Sequence, residues 1–393
     1  MSRDSATPKS ATTALLQIGR PKSGWVNMPV TRGSTYLFDT VSDWQVIRRR
    51  RADERVLSYG AHGTDSTHAL EDAVVALEGG YRGRLFPTGL AAIAITFLAY
   101  LKSGDHVLVA DSVYEPARRF CSDSLARLGI SFTYYRPDGT DLEAKIQPNT
   151  TMIYAENPGS LAYEMMDIRA VADVAKRHGC ILAVDNTWGS GILHKPLALG
   201  ADVSIIAATK YLCGHSDVMM GTVVTNQDAW PALEAAALNY GQTVGADDAY
   251  LVLRGMRTLA VRMKVHEQHL KIVADWLQQH PRVARVLHPA TMGEQDRAIF
   301  QRDFSGSNGL LSVEFVASVT QAQMEAMIDG LQHFGLGASW GGFESLCIPT
   351  NMANVRTLSS WEARGPICRI HVGLEDPADL IADLQQAFAA HLG

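Results

Sequence analysis

Two apolar runs in the middle of the chain end in residues that could do chemistry together. "CILAVD" ends in Asp185 and "VSIIAATK" ends 25 residues later in Lys210. A lysine at the end of a strand ordinarily reaches water, and a lysine and an aspartate on neighbouring strands ordinarily form a plain ion pair. The same pair could instead bracket a pyridoxal phosphate ring, the lysine joined to its aldehyde and the aspartate on its pyridine nitrogen. A carboxylate there keeps the nitrogen charged, and the charged ring draws electrons from the Cα of a bound amino acid. A lysine released beside it, with its pKa depressed by burial and a neighbouring cation, is placed to take the Cα proton.

Further candidates stand where other segments end. Asp111, Glu156 with Asn157, and Ala207 to Thr209 close apolar runs, although each acid alone could be a helix cap or a solvated loop residue. In "FPTGLAAIA" a loop containing Gly89 and Leu90 runs into a helix start, where backbone amides and the helix dipole suit a phosphate. Thr209 could add a hydroxyl, and Tyr114 in "SVYEP" an aromatic face for a ring to stack on. No GxGxxG or GxxxxGK[ST] follows a strand, which leaves nicotinamide and nucleoside triphosphate readings without support.

The elements that must position these residues are legible in outline. "THALEDAVVALEGG" and "LAAIAITFLAYLKSG" have helical spacing. The short runs "HVLVAD", "SFTYY", "TMIYAE", "CILAVD", "VSIIAA" and "GTVVTN" alternate with helical segments such as 167–178. Runs that are apolar throughout and alternate with helices predict an α/β fold with a mostly parallel sheet covered on both faces. A helical pattern over about 249–279 precedes a change of rhythm. "GLLSVEF", a helix around 321–334, "ICRIHVG" and a closing helix from Pro377 predict a smaller α/β domain. The expected division is an arm over 1–58, a large domain over 59–255, and a C-terminal domain over 256–393 that begins with a long linking helix. Ligands in such sheets bind outside the carboxyl ends of the strands, so the candidates above share one crevice.

Bulk properties exclude several classes. The chain has 393 residues, 47% of them hydrophobic and 19% charged, an ordinary globular balance with ample length for a sizeable core. With 35 basic and 41 acidic residues the net charge is −6, which favours neither nucleic acid nor an anionic membrane. Five scattered cysteines without a CxxC pair argue against a disulfide framework and a zinc site. "GLAAIAITFLAYL" is too short to span a bilayer, and the first 25 residues lack an apolar core of signal-peptide length, so a cytoplasmic protein is expected.

The stretch "AVDNTWGSGILHKPLALGADVSIIAATKYLCGHSDVMMGTVV" resembles the signature of the Cys/Met-metabolism pyridoxal-phosphate enzymes, a branch of the aspartate-aminotransferase fold (fold type I). "YEPARRFC", "NPGSLAYE", "ASWGGFESL" and "RIHVGLEDPADLIADL" are similar to the cystathionine β-lyase branch, with Trp340 where the γ-enzymes carry a smaller aliphatic residue. The resemblance implies Lys210 as Schiff-base lysine and catalytic base, Asp185 on the ring nitrogen, and Tyr114 as a stacking ring with a catalytic role. It implies a phosphate held by Gly89, Leu90, Ala207 and Thr209, with Tyr59 reaching it from a second subunit. The substrate residues implied are Arg369 on the carboxylate, Ser339, Trp340, Asn157 and Tyr59.

The implied reaction is loss of the Cα proton and expulsion of a thiol from Cβ of an amino-acid thioether; cystathionine would give homocysteine, pyruvate and ammonia. γ-Elimination, γ-replacement and racemisation share the proton step and are alternatives, and a non-catalytic binding protein is a more distant one. The expected assembly is a homo-oligomer, a dimer of dimers with shared sites.

One segment departs from the family. In "SYGAHGTDSTHAL" Tyr59 and Gly63 match, but Ala61 stands where an arginine reaches the phosphate, and His62 where close relatives often carry a second. A hydrogen bond to a charged group contributes about 1.5–3 kcal/mol, so cofactor affinity is expected to fall on the order of 10- to 100-fold unless another group compensates. Less positive charge near the entrance also predicts that cysteine or short S-substituted cysteines rival cystathionine.

Overall fold

The computed structural model describes residues 10–17, 24–51, 54–358 and 365–393. Its larger sheet has seven strands: β1 (Arg82–Phe86), β2 (His106–Ala110), β3 (Ser131–Tyr135), β4 (Thr150–Glu156), β5 (Ile181–Asp185), β6 (Val203–Ile206) and β7 (Gly221–Thr225). They lie in the order β1-β7-β6-β5-β4-β2-β3. The five strands from β6 to β3 run parallel, and at the other edge β7 is antiparallel to both β6 and β1, so that β1 points the same way as the five. Every residue of β2, β6 and β7 is buried, as expected for strands covered on both faces.

Local rules explain the covering helices. Asp167 caps Ile168–His178 by accepting from the Arg169 and Ala170 amides, and Gly179 ends it at a φ of 64°. The buried residues Ile168, Val171, Ala172 and Ala175 follow i, i+3, i+4, i+7 spacing, so one stripe packs on β5. Helix Gly89–Tyr100 packs against β7 and β6, beside β5 in the sheet order. Its apolar composition matches this enclosed place.

The smaller sheet contains β8 (Val283–Leu287), β9 (Leu310–Phe315), β10 (Leu346–Thr350) and β11 (Ile367–His371), in the antiparallel order β10-β11-β9-β8. Leu270, Val273 and Leu277 from one helix and Leu380, Leu384 and Phe388 from another share a core with Val313 and Phe315 of β9.

Three expectations need correction. β1 was not foreseen, because Arg82 and Arg84 break its apolar pattern; Arg84 pairs with Glu234 at 2.9 Å and Arg82 lies over the Trp230 ring. The long pattern over 249–279 is two helices, Ala246–Met256 and Leu259–Gln279, parted at Arg257–Thr258. The helix expected over 321–334 stops at Asp329, ahead of Gly330.

Candidate active site

At the carboxyl ends of β4, β5 and β6 lies a cavity of about 510 Å³, a size suited to a cofactor with a small substrate. Lys210 enters it just beyond β6, on a turn closed by its own amide to Ala207 O at 3.0 Å. Its Nζ donates to Ser339 Oγ at 2.5 Å and lies 5.2 Å from the centre of the Trp340 ring. Burial, reinforced by the Arg369 charge and opposed by Asp185, pulls the ammonium down to about 8.

Asp185 is buried at the end of β5 and lines the same cavity. Its Oδ1 accepts from the Thr187 amide at 3.0 Å and the Thr187 hydroxyl at 2.5 Å, and its Oδ2 from the Tyr154 hydroxyl at 3.5 Å. Burial raises its pKa, while those donors and the Lys210 charge pull it back. Thr187 also accepts from the Ala207 amide at 2.9 Å, so one side chain ties the aspartate to the turn that carries the lysine.

A helix start faces the Ala207 turn. Thr88 caps Gly89–Tyr100 by accepting from the Ala91 amide at 2.9 Å, and Ala92 bonds to Thr88 O. The amides of Gly89 and Leu90 are thereby left as the free donors of this turn among the described residues. A Cβ at Gly89 would meet the Ala207 Cβ at 2.7 Å, so only glycine lets the two backbones approach this closely. Ala207 accordingly offers room and no hydroxyl. The Thr209 hydroxyl donates to Met220 O at 3.2 Å and accepts from Met220 N at 2.9 Å, and serving an anion would cost it the first bond.

The smaller sheet closes the other side. Arg369 stands in the middle of β11, paired with β9 and β10. Its Nη2 donates to Ser339 O at 2.7 Å, and its buried Nε has no partner among the described residues. Ser339 holds a φ of 81°, a left-handed conformation that costs a non-glycine residue on the order of 1–3 kcal/mol. Leu161 and Tyr163, at 69° and 60°, line the same cavity, so three of the five such residues found among the described residues gather here.

Gly89, Leu90, Tyr114, Asp185, Ala207, Thr209, Lys210, Ser339, Trp340 and Arg369 thus line one cavity. Two expected residues do not. Asn157 is fully buried outside the lining, its Oδ1 accepting from the Met166 amide at 3.0 Å. Tyr59 is 50% exposed and lines a separate cleft with Trp44, Arg51 and His62.

Asp111 turns out to tie the end of β2 to the segment that follows β10, outside the cavity lining: it accepts from Arg118 at 3.0 Å, the Thr357 amide and hydroxyl, and the Leu358 amide. In the turn after Lys210, His215 bonds Cys213 O and Asp217 accepts from the Cys213 thiol, so both brace the turn from within. Glu156 and Thr187 are cavity residues to which the sequence gave no role. Position at a strand end was the only signal for Glu156, and adjacency to Asp185 the only one for Thr187.

A mixed α/β sheet with a lysine and an aspartate at neighbouring strand ends, free amides at a helix start and an arginine opposite defines an enzyme built to work on amino acids through a pyridine-ring cofactor. The chain belongs to the family of Cys/Met metabolism PLP-dependent enzymes, whose profile matches residues 12–389. It is 41% identical to the cystathionine beta-lyase of Salmonella typhimurium, over 98% of this chain and 99% of the other. It is 45% identical to that of Bordetella avium, over 92% of this chain and 91% of the other. The crystal structure of cystathionine gamma-lyase from Lactobacillus plantarum superimposes with a TM-score of 0.87 at 28% identity, covering 98% of this chain and all of that one. The fold is therefore the aspartate-aminotransferase-like fold type I, and the cofactor is pyridoxal 5'-phosphate. The residues fit that group: a close glycine approach with free amides at the phosphate end, a buried carboxylate for the ring nitrogen, and a lysine within the same cavity.

Proposed function

We propose that this protein is a carbon-sulfur β-lyase that cleaves L-cystathionine or related cysteine thioethers. The observation that carries the reading is the Lys210 amine, hydrogen-bonded to Ser339, under Trp340, in one cavity with Asp185 and Arg369. When bound, pyridoxal phosphate supplies an electron-withdrawing ring conjugated to the amino acid's Cα.

The chain's own residues do the rest. Arg369 takes the substrate carboxylate with its unpartnered Nε, and a planar guanidinium fixes the orientation of Cα. Ser339 accepts from the Lys210 amine and so aims it. With its pKa lowered to about 8, the released Lys210 amine is a far more available base than an ordinary lysine; it takes the Cα proton and can pass a proton to the departing sulfur. Trp340 and Tyr163 wall the site against water. With cystathionine and one water the products are homocysteine, pyruvate and ammonia.

The apolar part of the cavity lining, Leu90, Leu161, Met219 and Val355, supports short or apolar S-substituents. Cysteine and short S-substituted cysteines therefore rival cystathionine as substrates. A kcat/KM for cystathionine far above that of every shorter thioether would refute this.

The functional unit is a cytoplasmic homo-oligomer, a dimer of dimers, in which Tyr59 serves a second copy's site. Its support is the exposure of Tyr59 together with Trp25, Leu37 and Trp44 on one arm. Product identification tests the activity. Pyruvate from cystathionine supports β-elimination, 2-oxobutanoate would mean γ-elimination, and a change of chirality without cleavage would mean racemisation.

A further inference from the structure

Glu156 and Asp185 end neighbouring parallel strands in register, and both line the cavity. Two carboxylates so close do not both ionise without cost, and their partners decide which keeps the proton. Asp185 receives an amide and a hydroxyl from Thr187 and a longer bond from Tyr154, and Lys210 faces it. Glu156 receives one donor, the Tyr114 amide on Oε2 at 2.6 Å. The cation on its side, Arg356, is already bidentate on Glu164 at 2.9 and 2.8 Å. The carboxylates of Asp185 and Glu164 also act on Glu156, both with the same sign.

We propose that Glu156 is a positioning residue of the active site: as a neutral carboxylic acid it anchors the Tyr114 backbone beside the cavity and leaves the negative charge of the strand-end pair on Asp185. This deepens the lyase reading, because the ring nitrogen needs one defined carboxylate and the Tyr114 ring a fixed place. Burial and the Asp185 charge both hold Glu156 well above the usual carboxylate range, in agreement with the geometry. Tyr114 starts the helix Glu115–Phe120 without a side-chain cap, so the Glu156 bond is what fixes its amide.

The substitution Glu156→Gln keeps shape, neutrality and the acceptor for Tyr114, whereas Glu156→Ala loses the anchor. Native isoelectric focusing of the loaded enzyme reads the charge without any substrate. Glu156→Gln is expected to focus with wild type, while a control at an ionised surface carboxylate, Glu143→Gln, moves to higher pH. The visible absorption of the bound cofactor in Glu156→Gln should keep its pH midpoint, with kcat/KM within about threefold of wild type. Glu156→Ala should raise KM about tenfold and be rescued by Gln. A Gln variant that focuses with the Glu143→Gln control, or whose absorption midpoint moves by a unit or more, would overturn the proposal. Failure to cleave thioethers would leave the focusing result intact and count against the lyase reading alone.

Discussion

The cavity at the strand ends and the surface around Trp25, Leu37 and Trp44, on the proposed N-terminal arm, are built in opposite ways. In the cavity, Asp185 is buried, Lys210 is held by Ser339, and the walls come from two sheets of the same chain. On the arm, Trp25 is 80% exposed, Leu37 86%, and Val41 and Trp44 are open as well. Scattered exposed apolar residues are ordinary, but this many on one short arm mark a surface made to be covered. One chain brings the ring and proton residues into a single cavity, whereas Tyr59 and Arg51 line a separate cleft, which fits the proposal that a second copy supplies the cationic partner for the phosphate.

Within the arm, Arg51 Nη1 donates to His62 Nε2 at 2.7 Å. Burial and the Arg51 and Arg84 charges push the His62 pKa down, which keeps the ring neutral and able to accept. Positive charge on this face is carried by Arg48 and Arg51, beside the Ala61 position at which the family resemblance implies an arginine.

Substitutions can break this comparison in order of effect. Lys210→Ala removes the proton-transferring amine and should lower kcat by on the order of 10²–10⁴, checked by single-turnover product formation. Arg369→Leu loses a charge-assisted carboxylate bond of about 1.5–3 kcal/mol, so kcat/KM should drop by roughly 10- to 150-fold, mainly through KM. Arg51→Ala should weaken pyridoxal phosphate binding by the apoenzyme about tenfold if the arm serves a neighbour's phosphate, by the same class of bond at its low end. Ala61→Arg should restore that loss. Unchanged affinity in both variants would separate arm from cofactor and sink the contrast. The smallest effect is on pH: kcat, which reports the substrate complex in which Lys210 is released, should rise as pH approaches about 8 and level above it, since the depressed pKa of the free amine leaves it increasingly unprotonated there. A profile flat from pH 6 to 9 would place the base elsewhere.

The parts of the molecule that were legible in the sequence are those in which one physical rule acts alone. β5 and β6 are mainly apolar runs, so Asp185 at the end of β5 and Lys210 on the turn just after β6 could be read directly, although the strand expected to reach Lys210 stops at Ile206. β1 was hidden because Arg82 and Arg84 satisfy their charges through Trp230 and Glu234, remote in sequence. β10 was hidden by Pro349, which an edge strand tolerates. Arg369 and Ser339 came from family likeness, since no local pattern announces an arginine with a free Nε or a serine at positive φ. Asp111 was misleading because its partner Thr357 lies 246 residues away. The bond from Tyr114 to Glu156 spans 42 residues and likewise leaves no trace in local spacing.

We propose that Lys210, held by Ser339 in one cavity with Asp185 and Arg369, is where the cofactor is anchored. Borohydride reduction of the loaded enzyme, followed by peptide mass analysis, tests it most directly. The account predicts the cofactor's mass on the peptide containing Lys210 and its loss in Lys210→Ala. Labelling of another lysine, such as Lys195, with Lys210 untouched would contradict it.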